Sequence, residues 1–288
     1  MACANGGIVP SREDFRRKRG IGIACGDNEI RAIAGALRGG AGSTFRSPDR
    51  QRQRRRCGRF GEKTRMGECV VEELKELIHT AKELYRTGLV RGTSGNVSVR
   101  DPESPGRMWI TPSAIPYDEI TVEDLVQVDL ESGTPVRGSR KPSSETPMHR
   151  AIYRLRSDVR AVVHTHSTYA TMFACAGEEI PAVHYLIAEI GDRVPVADYA
   201  VYGSEELARN AVEALRRAGA NGALLKNHGV IAVGESLSKA YVRAEIIETV
   251  AQLAFGAKMI GRWELLTPEQ LEETRKNFGS YFAAREDR

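Results

Sequence analysis

AVVHTHSTYATMFACA, residues 161–176, changes rhythm in its middle. AVVHTH, residues 161–166, is a short apolar run that ends in alternation, and reads as a strand. STYATMFACA, residues 167–176, reads as a helix. The strand carries a chemical consequence. Side chains two apart on a strand share a face. His164 and His166 therefore project the same way and could chelate one ion. A hydrogen-bonded pair in the core fits the same spacing, and both readings stay open at this point.

Strand and helix patterns interleave on both sides of this stretch. Upstream, Val71, Leu74, Leu77, Ile78, Ala81, Leu84 and Tyr85 recur at helical spacing within residues 68–86, and Gly88 suits the stop. TSGNVSVR (93–100) passes from a turn into a strand. MWIT (108–111) and LVQVDL (125–130) read as two more strands, and ESG (131–133) bends into another extended piece. SSETPMHRAIYRLR (143–156) opens a helix, with Pro147 in its first turn and Thr146 or Ser144 as N-cap. Downstream come a short strand near 194–197, an amphipathic helix over 203–219 and two strand pieces in GALLKNHGVIAVG (222–234). Helices over 237–260 and 268–278 follow.

These elements keep no strict strand–helix–strand rhythm, and several strands are joined by short turns. That predicts an α/β fold with a largely antiparallel or mixed central sheet flanked by helices. One domain is expected over residues 66–288. The chain has neither GxGxxG nor GxxxxGK[ST], so neither dinucleotide-binding nor P-loop chemistry is indicated.

Apolar residues make up 41% and charged residues 28%, the mix of an ordinary water-soluble domain. No apolar run approaches the roughly 20 residues that span a bilayer, and the N-terminus lacks the apolar core of a secretory signal. The spacing of Cys3, Cys25, Cys57, Cys69 and Cys175 matches neither a metal knuckle nor a disulfide framework. A cytoplasmic protein with free thiols is expected, without a membrane partner.

The net charge of +4 is unevenly spread. Residues 1–65 hold 16 Lys/Arg against 6 Asp/Glu, and the remainder is acidic. A basic extension, with QRQRRRCGR at 51–59, precedes a mildly acidic body. It reads as a nucleic-acid arm, as a disordered tail, or as sequence upstream of a start at Met66. Nucleic acid is not the expected partner of the body.

A metal needs more than two ligands. LLKNHG (224–229) sets His228 at the end of an apolar strand, before a glycine that permits a tight turn. Glu145 stands at a helix start, where a carboxylate is favoured. His79, His149 and His184 read as structural or surface residues.

Together these residues become recognisable. GTSGNVSVR, ITPSAIPY, KPSSETPMH, AVVHTHS, IPAVHYLIA, YAVYGSEEL and LLKNHGVIA occur in order over residues 92–232. The set resembles the class II aldolases of sugar phosphates, the family that holds L-fuculose-1-phosphate aldolase, 5-deoxyribulose- and methylthioribulose-1-phosphate aldolases, and L-ribulose-5-phosphate 4-epimerase. The resemblance covers about residues 68–260.

It implies a zinc ion held by His164, His166 and His228. It implies that Glu145 is the catalytic acid/base and touches the metal at rest. It implies a phosphate site from Thr93, Asn96, Ser113, Ala114, Ser143 and Ser144. It also implies a homotetramer with active sites between subunits, in which Tyr185 reaches a neighbour's site as a proton donor.

The implied reaction cleaves a ketose 1-phosphate into dihydroxyacetone phosphate and a small aldehyde. Such a retro-aldol step leaves a carbanion beside a ketone, which a Lewis acid stabilises. The alternatives on the same scaffold are an epimerase, a dehydratase, and the non-catalytic adducin head. Glu145 and the HYLIA segment depart from the epimerase pattern. Ala114 replaces a glycine and Tyr202 a phenylalanine of the fuculose enzyme, while NFGSYF, with Tyr281, does not align with that enzyme's tail.

Overall fold

The computed structural model describes residues 62–286, with side chains over residues 70–278. Helix α1, Glu62–Arg86, begins six residues before the apolar periodicity does. Residues 1–61 of the basic extension, Cys3, Cys25, Cys57, and the side chains of Cys69 and Tyr281 lie outside these limits. Cys175 is an exposed free thiol.

Eight strands form one sheet in the order β4-β3-β2-β1-β5-β8-β7-β6. They are β1 Asn96–Arg100, β2 Arg107–Ile110, β3 Val126–Asp129, β4 Pro135–Arg137, β5 Ala161–Thr165, β6 Val196–Ala197, β7 Gly222–Leu225 and β8 Gly229–Gly234. Every neighbouring pair is antiparallel except β6 with β7. The mixed sheet expected from the short turns is therefore present. The histidine strand β5 lies mid-sheet, between β1 and β8.

The period-2 rule divides the sheet's side chains between two cores. Val97, Val99, Ala161, Val163, Val230 and Ala232 pack against α1, α3 (Thr168–Ala176), α5 (Leu237–Ile260) and α6 (Pro268–Glu286). Met108, Ile110, Val126, Val128, Val162, Ile231 and Val233 pack against α2 (Thr146–Leu155) and α4 (Glu205–Ala218). The central strands are covered on both faces, which explains their nearly unbroken apolar sequences. No described helix is long and apolar enough to cross a membrane.

One local reading needs correction. The N-cap of α2 is Glu145, at φ −83° and ψ 6°, rather than Thr146 or Ser144. The Ser143 carbonyl has already captured the Thr146 amide and hydroxyl, so the chain is coiled one residue earlier than Thr146 as a cap would allow. A 3-10 turn over Tyr185–Glu189 occupies HYLIA, where the sequence pattern assigned no element.

Candidate active site

β5 ends at Thr165, with His164 on the α2 side of the sheet, in register with Asn96 of β1 and Ile231 of β8. His166 lies just beyond the strand and returns to the same side. The two Nε2 atoms are 3.1 Å apart. The turn from β7 into β8 brings in His228. Lys226 and Asn227 occupy the centre of that turn, and the His228 amide donates to the Leu225 carbonyl at 2.9 Å. Asn227 adopts φ +54°, a conformation asparagine tolerates better than most residues.

The three imidazoles stand edge to face, with ring centroids 4.9–5.1 Å apart. Each offers a ligand atom, and all three lie within 4.8 Å of one another.

Gly229 makes this approach possible. A Cβ there would sit 2.4 Å from the Thr165 carbonyl oxygen and 2.9 Å from Cδ2 of His166. The helix after the histidines is pinned as well. Glu248 of α5 accepts from the Tyr169 and Ala170 amides at 2.9 Å each, capping the start of α3.

The donor set fits a metal. His164 Nδ1 lies 2.8 Å from the Val230 carbonyl, so Nδ1 carries the proton and Nε2 is left with its lone pair. His228 Nδ1 is buried without a partner among the described residues. Burial lowers all three imidazole pKa values, His228 to about 4, so neutral rings are presented at pH 7. Three neutral imidazoles with an open side suit zinc and its neighbours among divalent ions.

The histidines form one wall of a cleft of about 400 Å³. Thr93, Asn96, Ser113, Ala114, Ser143, Ser144 and Glu145 line the same cleft, as do Ser94, Gly95, Pro112 and Tyr202. Hydrogen bonds between distant segments hold the walls. The Ser113 amide donates to the Lys141 carbonyl and the Ser143 amide to the Thr111 carbonyl, zipping the TPSA turn to the serine pair. Gly95, at φ +76°, packs so closely that a Cβ would meet the His164 carbonyl at 2.7 Å. Tyr117 donates to the Ser94 carbonyl from below.

The same bonds sort the phosphate candidates. Ser113 has committed both its amide and its hydroxyl, the latter to the Pro142 carbonyl. The amides of Ala114 and Ser144 find no acceptor among the described residues. Ala114 adopts φ +61°. The turn thus keeps the left-handed backbone that glycine favours, despite its Cβ. No lysine or arginine lines the cleft among the described residues. The groups it offers an anion are amides, hydroxyls and the N-terminal end of α2.

Glu145 is 4% exposed, and its Oε2 has no partner among the described residues. Burial raises its pKa to about 7, against a smaller opposing effect from the Gly203 backbone. A carboxyl near 7 can exchange a proton in either direction at neutral pH. Tyr185 is placed elsewhere. It is half exposed on its 3-10 turn, beside His184 and Phe278, and does not line this cleft.

His149, read as structural or surface, is fully buried behind the cleft and bonded to Asn96. Sequence reasoning missed that link. Its only signal is the polar alternation Asn96, Ser98, Arg100 along an otherwise apolar strand.

Residues 75–255 match the family described as Class II Aldolase and Adducin N-terminal domain. The 5-deoxy-D-ribulose 1-phosphate aldolase of Bacillus thuringiensis serovar kurstaki is 42% identical over 212 residues, spanning 73% of this chain and 97% of that protein. The L-fuculose phosphate aldolase of Escherichia coli K12 is 41% identical over 180 residues, 62% of this chain and 80% of that one. Among solved structures, an L-fuculose 1-phosphate aldolase superposes with a TM-score of 0.69 at 42% identity, covering 72% of this chain and 96% of that chain.

Proposed function

Since the chain belongs to the class II aldolase and adducin family, we propose that it is a zinc-dependent aldehyde-lyase. Its substrate would be a ketose 1-phosphate, cleaved to dihydroxyacetone phosphate and a small aldehyde. The observation that carries the reading is one cleft joining three neutral imidazoles, a carboxyl with a pKa near 7 and a charge-neutral anion cradle. The adducin-like alternative needs no metal triad, and an epimerase is disfavoured by the aldolase relatives.

His164, His166 and His228 would hold the ion. When bound, zinc supplies Lewis-acid stabilisation of the charge that carbon–carbon cleavage leaves beside the ketone. The protein's own groups do the rest. The Ala114 and Ser144 amides, the Asn96 amide and the Thr93, Ser143 and Ser144 hydroxyls seat the phosphate, with Ser113 shaping the turn. That fixes the reacting carbons against the histidine wall. Glu145 holds the proton that is returned to the carbanion carbon. Tyr202, at the rim, faces the aldehyde end.

The assembly we propose is a homotetramer with active sites between subunits. Tyr185, half exposed and away from its own cleft, would then serve the aldehyde oxygen in a neighbour's site. The narrower substrate class is a 5-deoxy- or 5-methylthio-pentulose 1-phosphate: the 42%-identical relative is a 5-deoxy-D-ribulose 1-phosphate aldolase, and a 37%-identical relative from Rhodospirillum rubrum is a 5-methylthioribulose-1-phosphate/5-deoxyribulose-1-phosphate aldolase.

The test is a panel of ketose 1-phosphates with varied distal ends, read by dihydroxyacetone phosphate release and zinc content. Glu145→Gln should keep its zinc and lose about 10²–10⁴-fold in cleavage rate. Full activity with zinc retained would remove Glu145 from the mechanism. Absence of dihydroxyacetone phosphate from every substrate would remove the aldolase reading.

A further inference from the structure

Behind the cleft, strand β1 and helix α2 are joined by polar groups in a region otherwise apolar. Asn96, Ser98 and Arg100 lie two apart on β1 and share a face. His149 and Tyr153 lie four apart on α2 and share a stripe. The two rows interlock. His149 Nε2 is 2.5 Å from Asn96 Oδ1, His149 Nδ1 is 2.6 Å from Ser98 Oγ, and Ser98 Oγ is 2.9 Å from the Tyr153 hydroxyl. Arg100 sits over the Tyr153 ring and donates to the Tyr153 carbonyl at 2.6 Å. Asn96, Ser98, His149 and Tyr153 are each at most 4% exposed. Only Asn96 reaches the cleft.

With Asn96 Oδ1 facing the ring, the proton on each bond of this row is fixed. Asn96 Oδ1 is solely an acceptor, so His149 Nε2 must carry the hydrogen. Burial holds the ring neutral, with a pKa of about 3, so Nδ1 has none and accepts from the Ser98 hydroxyl. Ser98 Oγ is then free to accept from Tyr153. The Asn96 carbonyl is thereby committed inward, and its NH2 is the end left for the cleft.

We infer that His149 is a positioning residue: it locks the Asn96 side chain so that an amide donor, rather than a carbonyl, meets an incoming phosphate oxygen. The inference rests on the reading of the cleft as a phosphate-monoester site. Without the ring, the buried Oδ1 loses its donor, and the amide gains by turning over toward any other. A turned amide would set a carbonyl against the anion. In a cleft lined by no lysine or arginine among the described residues, one reversed dipole matters.

The experiment is calorimetric titration of the metal-loaded, full-length protein with inorganic phosphate. His149→Phe, His149→Gln, Asn96→Ala and the Asn96→Ala/His149→Phe double variant are compared, with metal content measured in each. Wild type should bind, and His149→Phe should bind about tenfold more weakly or worse, with metal unchanged. His149→Gln, whose amide can donate in place of Nε2, should stay within about threefold of wild type. The double variant should be no weaker than Asn96→Ala alone, because the ring acts through Asn96.

Equal binding by wild type and His149→Phe would overturn the inference while leaving the phosphate reading standing. So would equal weakening in the Phe and Gln variants, or additive losses in the double variant. A wild type that takes no phosphate would sink the phosphate reading and this inference with it. A readout that needs no variant is the ring tautomer from imidazole 15N shifts. Nε2–H is expected, and Nδ1–H would overturn the assignment.

Discussion

Gly229→Ala should separate metal binding from the presence of the metal's ligands. It removes no histidine and no hydrogen bond. The new Cβ would lie 2.4 Å from the Thr165 carbonyl oxygen, 0.6 Å inside the 3.0 Å that real Cβ atoms respect. It would also press on Cδ2 of His166 at 2.9 Å and Cε1 of His164 at 3.3 Å. The nearest obstacle is backbone, so the strain is relieved only by moving β8 from β5 or by displacing the rings. A metal site tolerates ligand errors of about 0.2 Å around a Zn–N distance of roughly 2.0–2.1 Å. A shift of 0.6 Å or more exceeds that. We expect zinc affinity to fall at least 10–100-fold, the range typical of disturbed support around a ligand. Overpacking should cost about 1–3 kcal/mol of stability, read as roughly 2–4 °C of Tm per kcal/mol. Gly106→Ala is the control, since no atom of the described residues lies within 4 Å of its Cβ position. The assays are competitive zinc titration and calorimetric unfolding. Stoichiometric zinc at wild-type affinity in Gly229→Ala would refute the claim that close β5–β8 approach builds the triad.

Other expectations follow from single residues. Burial lowers His149 to about 3 from 6.5, so between these values the unfolded chain binds a proton that the folded chain rejects. Its contribution to stability is complete above pH 6.5 and lost as pH falls, by about 2 kcal/mol at pH 5. Urea unfolding at pH 7.5 and 5.0 should show His149→Gln losing that much less than wild type, and equal losses would contradict it. Ala114→Gly relieves a positive φ and should stabilise the protein by roughly 0.5–1 kcal/mol, net of the added unfolded-state freedom, with phosphate affinity unchanged. A loss of stability would show that the turn's Cβ packs usefully. Mixing Glu145→Gln with Tyr185→Phe subunits should restore cleavage above that of either parent. No recovery would remove Tyr185 from the neighbouring site.

The sheet and most helices were legible because apolar spacing records which faces are buried. Val97/Val99 and Val162/Val163 leave that record directly in β1 and β5. The triad was half legible: the shared face of His164 and His166 follows from strand geometry, whereas His228 lies 62 residues beyond His166 and joins them only through β8 pairing. Ser113 illustrates a different limit. Its residue type suits a phosphate site, yet Lys141 and Pro142 have taken its donors, a commitment made only when the two turns meet in the fold. His149 is the extreme case. An isolated histidine on an amphipathic helix gives no sign that an amide 53 positions earlier depends on it.

On the proposed function, the placement of charge in the cleft follows from what it would hold together. A divalent ion, a phosphate monoester and a proton-transferring carboxyl would compete for one low-dielectric space. A lysine near the phosphate would lower the carboxyl's pKa and oppose the cation. Neutral donors avoid both effects: dipoles from amides, hydroxyls and the α2 terminus fall off faster with distance than a full charge. Glu145 then keeps the upward shift that burial gives it, to about 7 before any cation binds, undisturbed by the groups that seat the phosphate. The cost is that orientation must be fixed in advance, since a dipole turned the wrong way repels what it should bind. The zipped turns around Ser113 and Ser143, the left-handed Ala114 and the His149–Asn96 bond are three ways of fixing it. On this reasoning, a lysine introduced at Ser144 should tighten phosphate binding and yet slow cleavage, because it would shift Glu145 downward. An unchanged pH–rate profile in Ser144→Lys would break the link between the neutral cradle and the carboxyl.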